Sequence, residues 1–477
     1  MKKLPLILII ALFLPYNVWA ACTGTGTITC TASTSAADIN TAISGASDGD
    51  TINIGAGSKT WNTTIALNKS ISLIGAGIGV TNITAGDSPI IQITPTGSKS
   101  ELIRVSGFTF DLQEGQAINA NGSYTNPMYS KFRIDNNRFT NSTYTGSVLE
   151  NRYMLGVFDH NTIDDCQFIF RAWGQSGGTS EQAECFDQSP DFGDTQGNMY
   201  IEDNVITQDG DRLLSDGGEA GRYVFRYNTI TVDTQNDSWE ATFDLHDYQG
   251  GSDWSIVVAE IYGNKITYET GGTSNTLMKW RGGKMAFFYN SITASFSPPF
   301  NLYYPSPCPS GTGYDALMIH NNGIIFNNRY NDTGSFPSIG TGEQACGTIN
   351  ADDEYWKDAS NYAADPLTTG IGCGTLANIP DACTSGVKYF ATDQSCTNMS
   401  GLTGDITTYP SRLTITGTFY VCGSSNDWSE YYTPMTYPHP LVTGTVEAPI
   451  NAIQGVSISE LKVTDNLTAW NRTDGLR

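Results

Sequence analysis

Through the middle of the chain an Ile or Phe is followed three residues later by Asn, and two residues after that by a second Ile or Phe. The pattern occurs at Ile134-Asn137-Phe139, Phe158-Asn161-Ile163, Ile201-Asn204-Ile206 and Phe225-Asn228-Ile230. It continues at Ile261-Asn264-Ile266, Phe287-Asn290-Ile292 and Ile319-Asn322-Ile324. Successive asparagines are 24, 43, 24, 36, 26 and 32 residues apart. A repeat with a fixed minimum and loose additions is a coil with loops inserted at its turns. Apolar residues on both sides of a turn residue indicate two strands meeting at a corner, each pointing one side chain inward. Asparagine tolerates the left-handed backbone of a sharp corner. Stacked coils would set these amides about 4.8 Å apart, close enough to hydrogen-bond up the stack. The pattern predicts a solenoid in which each coil buries its apolar face against its neighbours. An eighth copy, Val105-Phe108-Phe110, lacks the asparagine and is expected to mark the first full coil. A sandwich or propeller would favour Asn-Gly or Asp-Gly hairpins, and the residues after these asparagines are mostly Thr, Lys, Ser, Val or Arg.

Before the repeat, Ala36-Ala37-Asp38-Ile39-Asn40-Thr41-Ala42-Ile43 has the apolar spacing of a two-turn amphipathic helix. Asp48-Gly49-Asp50-Thr51-Ile52 and Leu73-Ile74-Gly75-Ala76-Gly77 follow. With these residues the chain resembles the pectate-lyase-like superfamily of right-handed parallel β-helix proteins over about residues 33–330. The resemblance implies an all-β, right-handed parallel β-helix with an N-terminal cap helix. It implies no particular reaction, because that superfamily includes lyases, hydrolases, esterases, adhesins and phage spikes. Residues 331–441 are expected to form the last coils and a small disulfide-tied β insert with strands near Val387–Phe390 and Thr418–Val421. Residues 442–477 read as an extended tail, and His439, between two prolines, as a packed residue.

Met1-Lys2-Lys3, the apolar run Leu4–Leu14 and Val18-Trp19-Ala20 have the layout of a secretory signal peptide over residues 1–20. The run is too short to span a bilayer, and no later stretch is long and apolar enough to do so. Lipid attachment at Cys22 would want a small aliphatic residue where Trp19 stands. The expected location is therefore secreted, extracellular or at the cell surface. Ten cysteines fit an oxidising compartment. Sequence neighbours give the expected pairs Cys22–Cys30, Cys166–Cys185, Cys308–Cys346, Cys373–Cys383 and Cys396–Cys422. The net charge of −23 argues against a nucleic-acid partner and would repel a polyanion unless basic groups or cations offset it locally.

Alternate residues of a strand point outward, and equivalent positions on adjacent coils lie side by side. Three strands end in glycine pairs: Leu213–Gly218, Phe243–Gly251 and Leu277–Gly283. With Phe243, Leu245 and Trp280 inward, Asp244, His246, Tyr248, Lys279 and Arg281 point outward, and Asp216 should lie beside them. Arg171 and Trp173 share a face on an earlier coil. His160 and His320 read as turn residues beside ladder asparagines. The candidate catalytic residues are thus Asp216, Asp244, His246, Lys279 and Arg281, and the candidate sugar-binding residues Arg171, Trp173 and Tyr248. The loop 174–198, with Asp187, Asp191 and Asp194, is expected to wall the groove. Carboxylates suit glycoside hydrolysis. A basic group beside a neutralised uronate suits β-elimination. The same residues on a solvated sheet would be ordinary cross-strand ion pairs. The Asn-Thr-Asp and Gly-His-Gly signatures of polygalacturonases are absent, as is an Arg-x-x-Arg-x-Pro-like segment. The expected partner is an extracellular polysaccharide, cleaved by a lyase or hydrolase, with calcium as a candidate cofactor. The alternatives are a non-catalytic glycan-binding, adhesive or structural surface protein, and a phage-type spike, which the signal peptide disfavours.

Overall fold

The architecture comes from a computed structural model. It describes residues 22–31, 33–122, 129–173, 192–193, 198–208, 214–219, 221–232, 241–246, 255–269, 276–296, 298, 300–304, 308, 320–331, 339–404 and 413–443. The described residues form a right-handed parallel β-helix of ten coils, from Thr51–Ile54 to Ile339–Gln344. Each coil contributes a strand to each of three parallel ladders. The first ladder runs unbroken through a 13-stranded sheet. The other two share an 18-stranded sheet, joined where Arg138–Arg152 and Thr162–Trp173 bend across both. The first full coil therefore begins at Thr51, earlier than the Val105-Phe108-Phe110 copy. The early coils turn without asparagine, so the repeat pattern does not register them. Helix α1, Ala36–Gly45, covers the N-terminal end. Ser35 and Asp38 form its capping box, and Ile39 and Ile43 face the core.

The expected apolar positions stack in two columns, except at the last repeat, where Ile325 takes the inward place and Ile324 faces outward. Ile134, Phe158, Ile201, Phe225, Ile261, Phe287 and Ile325 are in register on the first ladder. Phe139, Ile163, Ile206, Ile230, Ile266 and Ile292 are in register on the second. All are essentially fully buried, each worth about 1.5–3 kcal/mol against exposure. Between the columns runs the amide stack. The Asn204 side-chain oxygen accepts the backbone N–H and the side-chain NH2 of Asn161, at 2.9 and 3.1 Å. Asn228 does the same for Asn204, Asn264 for Asn228 and Asn290 for Asn264. Each NH2 also donates to the carbonyl of the first apolar residue one coil earlier, as Asn228 does to Ile201 at 2.9 Å.

Two details differ from expectation. The last member of the stack is Asn328, whose oxygen accepts from Asn290; Asn322 is not part of it. The true corner ends in Tyr330, outside an Ile-or-Phe pattern, while Asn322 lies where the strand register slips. The left-handed residue of each corner is also the one before the asparagine. His160, Asp203, Tyr227 and Tyr289 all have φ between 52° and 58°. The asparagine itself is needed inside, where its amide is fully buried.

After the last coil, strands Ile371–Gly374, Lys388–Ala391, Thr418–Cys422 and Trp428–Tyr432 form a four-stranded sheet. Phe390, Phe419 and Tyr432 from one face pack on Val224, Val258, Phe288 and Phe326, which point outward from the first ladder. The disulfides Cys22–Cys30 and Cys308–Cys346 are as expected. The other two are Cys373–Cys396 and Cys383–Cys422, which corrects the pairing by sequence neighbours. Cys373 and Cys396 lie on the solenoid side of the small sheet, and Cys383 and Cys422 in the opposite cluster with Val387 and Tyr389. Neighbours on opposite faces cannot meet. Cys166 is a buried free thiol, pushed up to about 12 by desolvation, and Cys185 lies outside the described residues.

From Tyr432 the chain runs back along the first ladder toward earlier coils. Tyr432 Oη donates to Glu260, Arg226 Nη1 donates to the Met435 carbonyl at 2.8 Å, and Tyr437 Oη donates to Asp203 at 2.7 Å. Further along, the His439 N–H donates to Glu202 at 2.8 Å and Arg133 Nη1 donates to the Leu441 carbonyl at 3.0 Å. His439 is buried beside Tyr200, and desolvation lowers it to about 4. Beneath this strap the Arg226–Glu202 pair is completely buried, with Nη2 2.6 Å from Oε2.

Replacing Asn228 by Ala strands the Asn204 backbone N–H in the core, while the Asn204 NH2 keeps the Phe158 and Glu202 carbonyls. Chemical denaturation should show a loss of about 1–3 kcal/mol, the cost of one unsatisfied buried group. Arg226→Met leaves Glu202 as an uncompensated buried charge and should cost about 3–5 kcal/mol. The double variant Arg226→Met/Glu202→Gln should regain a large part of that in the same measurement.

Candidate functional site

The third ladder carries the candidate residues, and its apolar alternation sets their direction. Phe243, Leu245, Met278, Trp280, Phe300 and Leu302 are fully buried in the core. Residues between them therefore face out. Backbone register then places Glu150, Arg171, Asp216, Asp244, Lys279 and Asn301 in one outward column across six coils. Gln92 and Asn119 continue it toward the N-terminal end. Two residues on, Trp173 stands opposite Gly218. His246 lies over that glycine, where a Cβ would sit 3.1 Å from the His246 Cβ. The glycine pairs do not stack: Gly217 pairs with Leu245, and Leu245 with Trp280. Inward apolar residues, not glycines, fix the alignment.

The side chains fall into two levels. Asp216 and Asp244 are each 2% exposed, at the floor. Arg171, His246, Lys279 and Arg281 are half-buried and reach the surface. Arg281 grips Asp244 in a fork, with Nε 2.9 Å from Oδ1 and Nη2 on Oδ2. His246 Nδ1 stands 3.3 Å from Asp216 Oδ1, and Arg171 Nε 3.6 Å from Asp216 Oδ2. Arg171 Nη1 is also 3.7 Å from Glu150, which accepts from Gln116 at 3.0 Å. Burial holds the Asp216 carboxyl above the usual carboxylate range. His246 and the two arginines pull it down, and Asp244 pushes it further up.

Of the residues expected here, Asp216, Asp244, His246, Lys279, Arg281 and Arg171 share this face. For Trp173 only the backbone position is described. Tyr248, the signal segment 1–20, the tail 444–477 and Asp187, Asp191 and Asp194 lie outside the described residues. Glu150, Gln92, Asn119 and Asn301 were not singled out from sequence. Their signal is the same inward alternation, in Leu149–Phe170 and Phe300–Leu302. His160 is a corner residue against Asp159. His320 is not beside a ladder asparagine: it is buried against Trp280, Nε2 3.0 Å from that residue's carbonyl, and desolvation lowers it to about 4. Among the described residues no three His, Cys, Asp or Glu side chains come together as a metal-ligand set. Among the described residues, no helix is long and apolar enough to cross a membrane.

No protein-family model matches the chain, and no curated protein matches it. A comparison of solved structures finds similarity to a PL6 family polysaccharide lyase of Pseudopedobacter saltans. It is 16% identical and covers 77% of this chain and 88% of that one, with a TM-score of 0.37. At that score the likeness carries no argument about this chain, and the chemistry of the face has to be read from its own residues.

Those residues give one sign-determined expectation. A carboxyl whose folded pKa is raised is destabilising when ionised, and the penalty shrinks as pH falls through that pKa and is gone below the unfolded value. Asp216→Asn should therefore melt at a higher temperature than the parent near pH 7. The gap should close as pH falls through the carboxylate range and the parent Asp216 takes up its proton. Thermal melts of both proteins across that range check it.

Proposed function

We propose that the protein is an exported polysaccharide lyase that removes a proton from an acidic sugar on the third-ladder face. One observation carries the reading: Asp216 and Asp244 lie at the floor of the column, and the cations and the imidazole lie at its surface. Glycoside hydrolysis needs two carboxyl groups at the bond, one to protonate the leaving oxygen and one on the other side of the ring. Asp216 and Asp244 are too deeply buried, and too closely held by His246 and Arg281, to flank a sugar. Elimination from a uronate has different needs. A cation must hold the carboxylate as negative charge develops on it, and a base must take the proton from the adjacent carbon.

Arg171, Lys279 and Arg281 are placed to hold the carboxylate. His246 is the base, with Nδ1 turned to Asp216 so that Nε2 takes the proton. Asp216 is a positioning residue that orients the ring, as a buried carboxylate does for an imidazole elsewhere. The C–H electron pair forms the new C=C bond, the C–O bond to the next sugar breaks, and the leaving oxygen takes a proton from water. Four disulfides among the described residues fit the oxidising compartment that an exported chain would enter.

Incubation with uronate-containing polysaccharides should generate the ultraviolet absorbance of an unsaturated uronate along with new reducing ends. His246→Gln should lower kcat about 10²–10⁴-fold, the usual contribution of a general base. Reducing ends without that absorbance would indicate hydrolysis and reject the proposal. Binding without any product would favour a non-catalytic glycan-binding surface.

A further inference from the structure

The outward column is charged only in its middle. Arg171, Lys279 and, two residues on from Lys279, Arg281 stand at the surface over the buried Asp216 and Asp244, with Glu150 beside Arg171 at the N-terminal edge of the charged stretch. On either side the same column turns to uncharged amides, Gln92 and Asn119 toward the N-terminal end and Asn301 toward the C-terminal end. Gln92 Nε2 donates to the Asn119 carbonyl at 3.1 Å and to its side-chain oxygen at 3.3 Å, so these amides form a continuous polar strip. Adjacent strands are about 4.8 Å apart, close to the length of one sugar along an extended glycan. A glycan lying along the solenoid axis would therefore place about one sugar over each coil.

We infer that the face takes a polysaccharide in which an acidic sugar is flanked on both sides by uncharged ones. The inference rests on the polysaccharide reading above and adds the charge pattern of the substrate. A homopolyuronate would bring a carboxylate to every coil. Only the central ones would meet cations. One would face Glu150, and those at the ends would meet amides in a chain of net charge −23. Sugar hydroxyls suit the flanking amides, which both donate and accept.

Calorimetry on the full-length His246→Gln protein tests this with two probes of equal length. One is a fragment of deacylated gellan, in which each glucuronate is separated by neutral sugars. The other is tetragalacturonate. The gellan fragment should bind at least about tenfold more tightly, about 1.4 kcal/mol. Equal or tighter binding of tetragalacturonate overturns the inference and leaves the lyase reading standing. If neither probe binds, the polysaccharide reading falls with it. In the same background, Asn119→Lys/Asn301→Lys should raise affinity for tetragalacturonate about tenfold and leave the gellan fragment within about threefold. No gain for tetragalacturonate would mean the flanks do not touch the glycan, and the inference fails.

Discussion

One amide oxygen per coil, accepting two hydrogen bonds from the coil before it, is the constraint on which the rest of the molecule depends. Each asparagine oxygen in the corner takes both the backbone N–H and the side-chain NH2 of its predecessor. Each NH2 in turn satisfies a carbonyl of the neighbouring first-ladder strand. A buried corner would otherwise strand several backbone groups, at about 1–3 kcal/mol each. From coil four onward the corner is always two residues long. It cannot absorb an insertion, so the variable lengths fall at the other two corners, which border the third ladder. The invariant corner thus fixes the register, and the tolerant corners flank the face that carries the candidate chemistry.

Register is what turns scattered residues into a site. Asp216, Asp244 and Lys279 are separated in sequence by irregular intervals, yet backbone pairing places them side by side. The same rule builds a second column on the first ladder, where Asp135, Asp159, Glu202 and Arg226 are in register. Both columns mix acids with arginines, but their fates differ. The first-ladder column lies under the C-terminal sheet and strap, and its Arg226–Glu202 pair sees no solvent. It serves as an attachment line for the returning chain. The third-ladder column keeps its cations at the surface.

Local pattern made the solenoid legible. Six of the seven Asn-centred repeats named the corner, and inward Phe243, Leu245 and Trp280 were enough to predict which charged residues share a face. The pattern failed where it was drawn too narrowly: Tyr330 replaces Ile or Phe at the last corner, which hid Asn328 and promoted Asn322. It also failed where contacts are remote. Nothing local in Arg226 or Glu202 announces Met435 or His439, more than 200 residues away. The exchanged disulfides have the same origin, because strand alternation, not proximity in sequence, decides which cysteines of the small sheet share a side.

The two-level arrangement of the third-ladder face explains how an acidic chain can present cations at its surface. Arginine and lysine side chains on a bare sheet would repel one another across adjacent coils, and solvent and salt would screen what they offer a ligand. Asp216 and Asp244 beneath them lessen the mutual repulsion from inside, and Asp244 holds Arg281 in a fork that fixes the direction of its guanidinium. The cost falls on Asp216, whose carboxyl is destabilised by its burial and by Asp244. That cost is borne at the one position where an acid also stands 3.3 Å from His246 Nδ1. A charge kept at a destabilising position beside a half-buried imidazole is hard to account for by folding alone, since an amide there would fold more stably. It is what a surface would retain if the direction of that imidazole mattered more than stability.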